Sequence, residues 1–325
     1  AVVGDGGVLP APSLLAGWSW DDAAYAYSAP PSGLTVNEGV VDLRVVATAD
    51  GVSASLEPMT SLVRVSVERG AGPRSTLQLL PGWAPGDVVA RWLGPPDALA
   101  SHEWVAVPDP PRFAAEQLSC VLAEAGIRVE GAPRSARRDE VPLATPTVLA
   151  REESMTLREL CALTNKDSLN LHAETLLMQL GRLAGAEPTT FGGLQVVGEL
   201  LVEAGRDPSR VRLVDGSGLS RMNLLSPEAA VSVLRHTLQR DPAFADLLAV
   251  AGEPGTLQHR LVGTVGQGRV RAKTGTLTGH RNMVGVVDTL RGRRLVFAIF
   301  ISGLVLPRVE ADAAVDAALL TLVGW

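Results

Sequence analysis

The chain has 325 residues, 46% of them hydrophobic and 20% charged, with a formal net charge of -6. This is about twice the usual single-domain length, which predicts two domains or a domain with an insert. An acidic balance without any basic stripe argues against a nucleic-acid partner, because such a surface repels a phosphate backbone.

No signal-peptide pattern is visible and the chain opens on Ala1, so it reads as a processed or incomplete form whose start says nothing about compartment. Pro and Gly clusters punctuate the first half at Pro30-Pro31, Gly70 to Pro73, Pro81 to Gly86, Gly94 to Pro96 and Pro108 to Pro111. Between them, alternating runs such as Val41, Leu43, Val45 and Val63, Val65, Val67 predict half-buried strands. From Arg112 a helix is predicted with Ala114, Leu118, Val121, Leu122 and Ala125 on its apolar face and Gly126 as its stop. The Pro-containing polar stretch Ala132 to Pro146 is a candidate linker, with a domain boundary near Val148.

The second half is expected to open on a helix with a capping box at Thr156 and Glu159, followed by the segment Asn165 to Asn170 and a helix through Leu171, Leu176, Leu177 and Leu180. Ser226-Pro227 supplies an N-cap and first-turn proline for another helix. Three strands are predicted at Arg269 to Thr274, Met283 to Thr289 and Arg294 to Ser302, the last two joined by a turn at Arg291-Gly292-Arg293. The apolar stretch Leu295 to Leu306 is too short to span a bilayer and reads as a buried strand. Val309 to Leu322 has helical periodicity. Consecutive strands with helices on either side predict an α+β fold with an antiparallel sheet.

Cys120 and Cys161 lie in helical patterns without metal-ligand spacing, and read as buried thiols or a disulfide. The five histidines also lack ligand spacing; His280 reads either as a cleft residue or as a surface histidine. Trp18 and Trp20 read as packing residues. Of 29 basic residues only Lys166 and Lys273 are lysines. Where arginine is the default cation, a retained lysine suggests chemistry, because lysine can shift its pKa and move a proton.

Lys273-Thr274-Gly275 lies at the end of a predicted strand, and Ser168-Leu169-Asn170 precedes it in the order found in enzymes that combine Ser-x-x-Lys, Ser-x-Asn and Lys-Thr-Gly. Leu169 stands where Asp is usual. A Ser-x-x-Lys tetrad is absent: the positions three before the two lysines hold Leu163 and Val270.

Longer segments sharpen this. Asn165 to Asn170 with Ala173-Glu174 and Leu176-Leu177; Asp215-Gly216-Ser217-Gly218-Leu219-Ser220-Arg221 with Asn223 and Ser226-Pro227; Ala251-Gly252 with Gly255-Thr256-Leu257; and Arg271 to Leu277 are each similar to segments of the penicillin-binding D-alanyl-D-alanine carboxypeptidases of serine peptidase family S13. Gly17-Trp18-Ser19-Trp20-Asp21-Asp22, Tyr27, Ala29-Pro30 and Asn37-Glu38 also resemble that family. The resemblance implies an α+β penicillin-binding domain, related to the β-lactamases and transpeptidases, over residues 148–325. It implies a β-rich insert over residues 1–147, between the first and second catalytic motifs.

The resemblance further implies an acyl-enzyme mechanism without metal or cofactor. Ser168 would relay a proton to the leaving amine beside Lys273, and Asn170 would bond the active-site lysine or the substrate backbone. Thr274 and Thr276 would hold the substrate carboxylate, the Thr276 N–H would supply half of the oxyanion hole, and Gly275 would let the substrate backbone lie along the strand. Leu219 and Arg221 match positions that face the peptide side chain, and Asp21 or Asp22 one that binds its ammonium; Arg221 as a surface cation and Asp21 as a turn residue are the alternatives. The implied partners are peptidoglycan stem peptides ending in D-Ala-D-Ala and β-lactams as covalent inhibitors, in an extracytoplasmic compartment.

In the family the Ser-x-x-Lys tetrad precedes the Trp-rich segment, so it is expected upstream of Ala1. Loss of the nucleophile of a serine hydrolase costs on the order of 10⁶ in kcat, so these residues alone are expected to be inactive. A non-catalytic peptidoglycan-binding homologue is the alternative from another class, and a β-lactamase the alternative enzyme.

Overall fold

The computed structural model describes residues 1–10, 14–48, 51–95, 100–137, 140 and 147–325. It divides into two compact units, one of residues 1–147 with 174–193, the other of residues 148–173 with 194–325.

In the first unit, short strands alternate apolar and polar side chains. β1 (Val3–Gly4) is followed by β2 (Val40–Thr48), β3 (Gly51–Glu57), β4 (Arg64–Ala71), β5 (Thr76–Pro81), β6 (Asp87–Gly94) and β7 (Ala100–Ala106). Helix α1 (Pro110–Glu124) leads to β8 (Arg134–Ser135), the parallel partner of β1. One sheet has the order β3-β2-β7 and is antiparallel; another has the order β4-β6-β5, with β4 and β6 parallel. Val41, Leu43 and Val45 alternate inward and are fully buried, in a cluster with Leu79, Trp92, Val105 and Phe113.

Asp109 caps α1 by accepting a hydrogen bond from Arg112 N (3.1 Å), and Gly126 follows its end at φ 76°. Of the expected apolar face of α1 only Ala114 is buried. Pro110 to Glu116 supply its buried residues, whereas Leu118 and Val121 are 50% and 59% exposed. The helix is held up to its middle because the buried Glu116 carboxylate accepts hydrogen bonds from Thr60 and Ser61 and Gln117 Nε2 donates to Met59 O (2.9 Å); among the described residues no side chain after Gln117 makes such a bond to another element. Cys120 is exposed and Cys161 half-buried, and both are free, contrary to the expectation of buried thiols. Trp18 is buried, but Trp20 is largely exposed and tilts against Trp83 with ring centroids 6.5 Å apart. Pro96, and residues 138, 139 and 141–146 of the expected linker, lie outside the described residues.

The second unit is built on a four-stranded antiparallel sheet. Its elements include α2 (Leu157–Asp167), the start of α3 (Asn170–Leu183), the greater part of α4 (Thr190–Glu203) and α5 (Pro227–Arg240). The strands β9 (Ala249–Val250), β10 (Val270–Leu277), β11 (His280–Asp288) and β12 (Arg294–Ser302) follow, and α6 (Arg308–Val323) closes the chain. The sheet order is β12-β11-β10-β9. The capping box at Thr156 and Glu159 and the Ser226 cap form as expected.

Strand alternation divides this sheet into two faces. Val270, Ala272, Met283, Val287 and Phe297 pack in a cluster with Val315 and Leu319 of α6; Val284, Val286 and Val296 pack with Leu234 and Leu238 of α5. β12 was expected to be buried, but it is an edge strand in which only Phe297 is fully buried. Two strands run further than expected: β10 continues past Thr274 to Leu277, and β11 begins at His280 rather than Met283. A two-residue turn at Thr278-Gly279, with Gly279 at φ 79°, joins them.

Candidate active site

Helix α2 ends at Ser168, whose backbone adopts φ 62° and ψ 51° and whose N–H bonds Thr164 O. A left-handed conformation costs a non-glycine residue about 1 kcal/mol or more, and at a helix terminus it turns the chain sharply. Leu169 N also donates to Thr164 O (3.1 Å), and α3 restarts at Asn170. The Ser-x-Asn tripeptide is therefore the joint between two helices. It is braced from the Gly255-Thr256-Leu257 segment, where Thr256 N donates to Lys166 O (2.9 Å). Gly255 makes that approach at φ 124°, with room for a Cβ only 3.0 Å from Lys166 O.

Lys273 stands on β10 and, by alternation, on the α5 face. Its Nζ donates to Ser168 Oγ at 2.6 Å and to Thr274 O at 2.7 Å. It also borders an apolar cavity of about 300 Å³ lined by Val197, Leu201, Leu234, Phe244 and Val284. Burial disfavours the ammonium and pushes its pKa down to about 8 from the ordinary 10.5.

Beyond Lys273, β10 has one paired edge and one open edge. β11 pairs with it along its whole length, whereas β9 reaches only Arg271 and Ala272. Thr274 is half-buried, and Gly275 and Thr276 are exposed. A Cβ at Gly275 would meet nothing nearer than Asn282 Cβ at 3.5 Å, so the fold itself has no need of glycine there. At Gly285 on β11, by contrast, a Cβ would fall 2.1 Å from Arg271 O, and glycine is what lets the two strands approach.

The loop from Asp215 to Asn223 is organised by a buried carboxylate. Asp215 accepts from Gly218 N (3.0 Å), Ser220 N (2.6 Å) and Asn223 Nδ2 (2.6 Å), while Asn223 Oδ1 accepts from Val214 N (2.8 Å). Gly218 turns the loop at φ 80°. Leu219 is consequently buried, and exposed Arg221 donates to Thr278 O (3.2 Å) on the β10–β11 turn. Asp21, in the other unit, is exposed on the turn Trp20–Asp22; its neighbour Asp22 accepts a hydrogen bond from the Tyr27 hydroxyl (2.8 Å).

Ser168, Asn170, Lys273, Thr274, Gly275, Thr276, Leu219 and Arg221 all fall within the second unit. His280 opens β11 with its Nδ1 3.3 Å from Ser302 Oγ. Sequence reading missed Arg281, whose Nη1 donates to Thr276 Oγ1. The available signal was the turn: a two-residue hairpin at Thr278-Gly279 pairs Thr276 with Arg281, but a second strand begun at Met283 conceals that register.

The D-Ala-D-Ala carboxypeptidase 3 (S13) family matches residues 1–321. The D-alanyl-D-alanine carboxypeptidase of Actinomadura sp. (strain R39) is 32% identical over 310 residues, covering 89% of this chain and 57% of that protein. Penicillin-sensitive carboxypeptidase A of Dictyostelium discoideum is 27% identical over 294 residues, covering 85% and 55% respectively. The chain thus spans little more than half the length of these relatives. Among solved structures, penicillin binding protein 4 (dacB) from Haemophilus influenzae superposes with a TM-score of 0.81 at 21% identity, over 99% of this chain and 75% of that one. By this match along nearly its whole length, the chain belongs to the D-Ala-D-Ala carboxypeptidase 3 (S13) family.

Proposed function

We propose that the protein to which this chain belongs is a serine-type D-Ala-D-Ala carboxypeptidase acting on peptidoglycan stem peptides, with endopeptidase action on cross-links open to the same site. The observation that carries this reading is the 2.6 Å contact between Lys273 Nζ and Ser168 Oγ, two residues 105 apart in sequence. A Ser-x-x-Lys segment preceding Ala1 supplies the nucleophile and its general base. Residues 148–325 form the rest of the penicillin-binding domain, and residues 1–147 form an insert between the first and second motifs.

The peptide adds as a strand to the open edge of β10, where Gly275 presents no side chain. Thr274 and Thr276 hold its terminal carboxylate, and the Thr276 N–H donates to the oxyanion as the carbonyl becomes tetrahedral. The Ser168 hydroxyl passes a proton to the departing D-Ala amine. Lys273 is donor-only as an ammonium, so it orients that hydroxyl oxygen, and with its pKa held near 8 it gives up a proton and regains it at little cost. Asn170 bonds the active-site lysine or the substrate backbone. Arg221 and Leu219 face the stem-peptide side chain, and Asp21 has the charge to pair with a side-chain ammonium. β-Lactams enter as acylating analogues of the same substrate. The implied compartment is extracytoplasmic. Among the described residues no helix is long and apolar enough to cross a membrane.

The test is to read the frame upstream of Ala1 and treat the longer product with a fluorescent penicillin. Stable label on a serine of a Ser-x-x-Lys tetrad is the expected result. Rapid turnover of the drug would make the protein a β-lactamase. A product that takes no label and cleaves no D-Ala-D-Ala peptide would leave a binding protein.

A further inference from the structure

Arg281 is the register partner of Thr276 across the β10–β11 hairpin, so both side chains stand on the α6 face of the sheet. Its side chain is only 10% exposed. Nη1 donates to Thr276 Oγ1, Nη2 donates to Asp312 Oδ2 on α6 (2.7 Å), and Nε is buried without a hydrogen-bond partner among the described residues. Asp312 does not belong to Arg281 alone. Arg260 Nη1 donates to its other oxygen (3.2 Å), and Arg308 Nε lies 3.5 Å from Oδ2. Arg260 also forks onto Asp316, with Nη2 2.6 Å from Oδ1. Three guanidinium groups therefore share two carboxylates, and the one bonded to Thr276 keeps a buried Nε–H without a hydrogen-bond partner among the described residues.

We propose that Arg281 is a positioning residue that sets the preference of this site for a substrate ending in a carboxylate. The inference rests on the reading of Thr276 as a carboxylate contact. A threonine hydroxyl has one hydrogen and two lone pairs, and a guanidinium only donates. The Arg281 bond can form only with the Thr276 oxygen accepting, which leaves the hydroxyl hydrogen to be donated elsewhere, toward the exposed edge of β10. An ionised carboxylate is acceptor-only and matches that donor, and the incompletely neutralised charge behind the hydroxyl is felt strongly because Arg281 is buried. A carboxamide oxygen can accept the same hydrogen bond but carries no net charge, so it gains much less from the cation.

The experiment compares two thioester substrates that differ only in ending in a free carboxylate or a carboxamide, in the protein that carries the Ser-x-x-Lys segment. The wild-type ratio of kcat/KM for carboxylate over carboxamide is expected to fall about tenfold or more in Arg281→Gln, the size of one lost charge-assisted hydrogen bond, through KM for the carboxylate substrate. Asp312→Asn removes the group that neutralises Arg281 and is expected to raise the ratio. A structural role alone moves both variants and both substrates in the same direction. An unchanged ratio in an active Arg281→Gln enzyme, or equal loss on both substrates, overturns the inference while the carboxypeptidase reading stands. Should Arg281→Gln fail to fold, a lowered ratio in Asp312→Asn overturns it. A wild type that neither takes penicillin nor cleaves either thioester sinks the functional reading, and this inference with it.

Discussion

Lys273 Nζ and Ser168 Oγ lie 2.6 Å apart, and each is held in an arrangement that is costly away from the site. Ser168 occupies the left-handed backbone region and Lys273 is desolvated. Strain at a serine and a lysine with a depressed pKa in one place are the features expected where proton transfer is the task.

Because φ at Ser168 is 62°, glycine fits the helix joint better than any other residue. Ser168→Gly is expected to be more stable than Ser168→Ala by about 1 kcal/mol, measured by denaturant unfolding of the chain. Both variants lose the hydroxyl, so both are expected to cut penicillin acylation of the longer protein by about 10² or more. Equal stability of the two would remove backbone strain from the account.

The pKa of Lys273 predicts two opposite pH effects. Between about 8 and 10.5 the native lysine has lost its proton while the unfolded chain keeps it. The unfolded state binds more protons in that window, so this group makes stability rise with pH there. The same deprotonation removes the charge from Ser168, so the acylation rate is expected to fall as pH passes 8. Lys273→Arg, which does not titrate below about 12, is expected to show a lower rate without that alkaline limb.

Gly275 and Gly285 are predicted to separate function from folding. Gly275→Ala places a methyl on the open edge, against only an ordinary contact with Asn282, and is expected to leave stability within about 0.5 kcal/mol while slowing acylation. Gly285→Ala drives a Cβ into Arg271 O and is expected to cost about 2 kcal/mol or more. Thermal melts with penicillin labelling check both; a destabilised Gly275→Ala would assign that glycine to folding.

Asp215→Ala leaves Gly218 N, Ser220 N and the Asn223 amide without their shared acceptor. The expected loss is about 2–4 kcal/mol, with faster hydrogen exchange at Gly218 and Ser220. If exchange there is unchanged, the carboxylate does not organise the loop.

Much of this protein is legible in its sequence because the signals are local. The capping box at Thr156 and Glu159, the Ser226-Pro227 start, the alternation of Val41, Leu43 and Val45 and the turn at Gly292 depend on residues within a few positions of one another, and each forms where expected. The rarity of lysine is likewise visible without coordinates, and it singles out Lys273. Three features were not legible because they depend on contacts made at long range. The apolar face of α1 is overridden by Glu116, whose partners are more than 50 residues away. Whether β12 lies at an edge depends on which strands find it, since an apolar run reads alike in either place. The Arg281–Thr276 bond needs both the hairpin register and α6. The sequence by itself determined the residue types, local caps and alternation that place Ser168 at a helix end and Lys273 on a strand. Only tertiary structure decided that they meet, because closing a loop of 105 residues is directed by the packing of the sheet against its helices and by no signal within either segment.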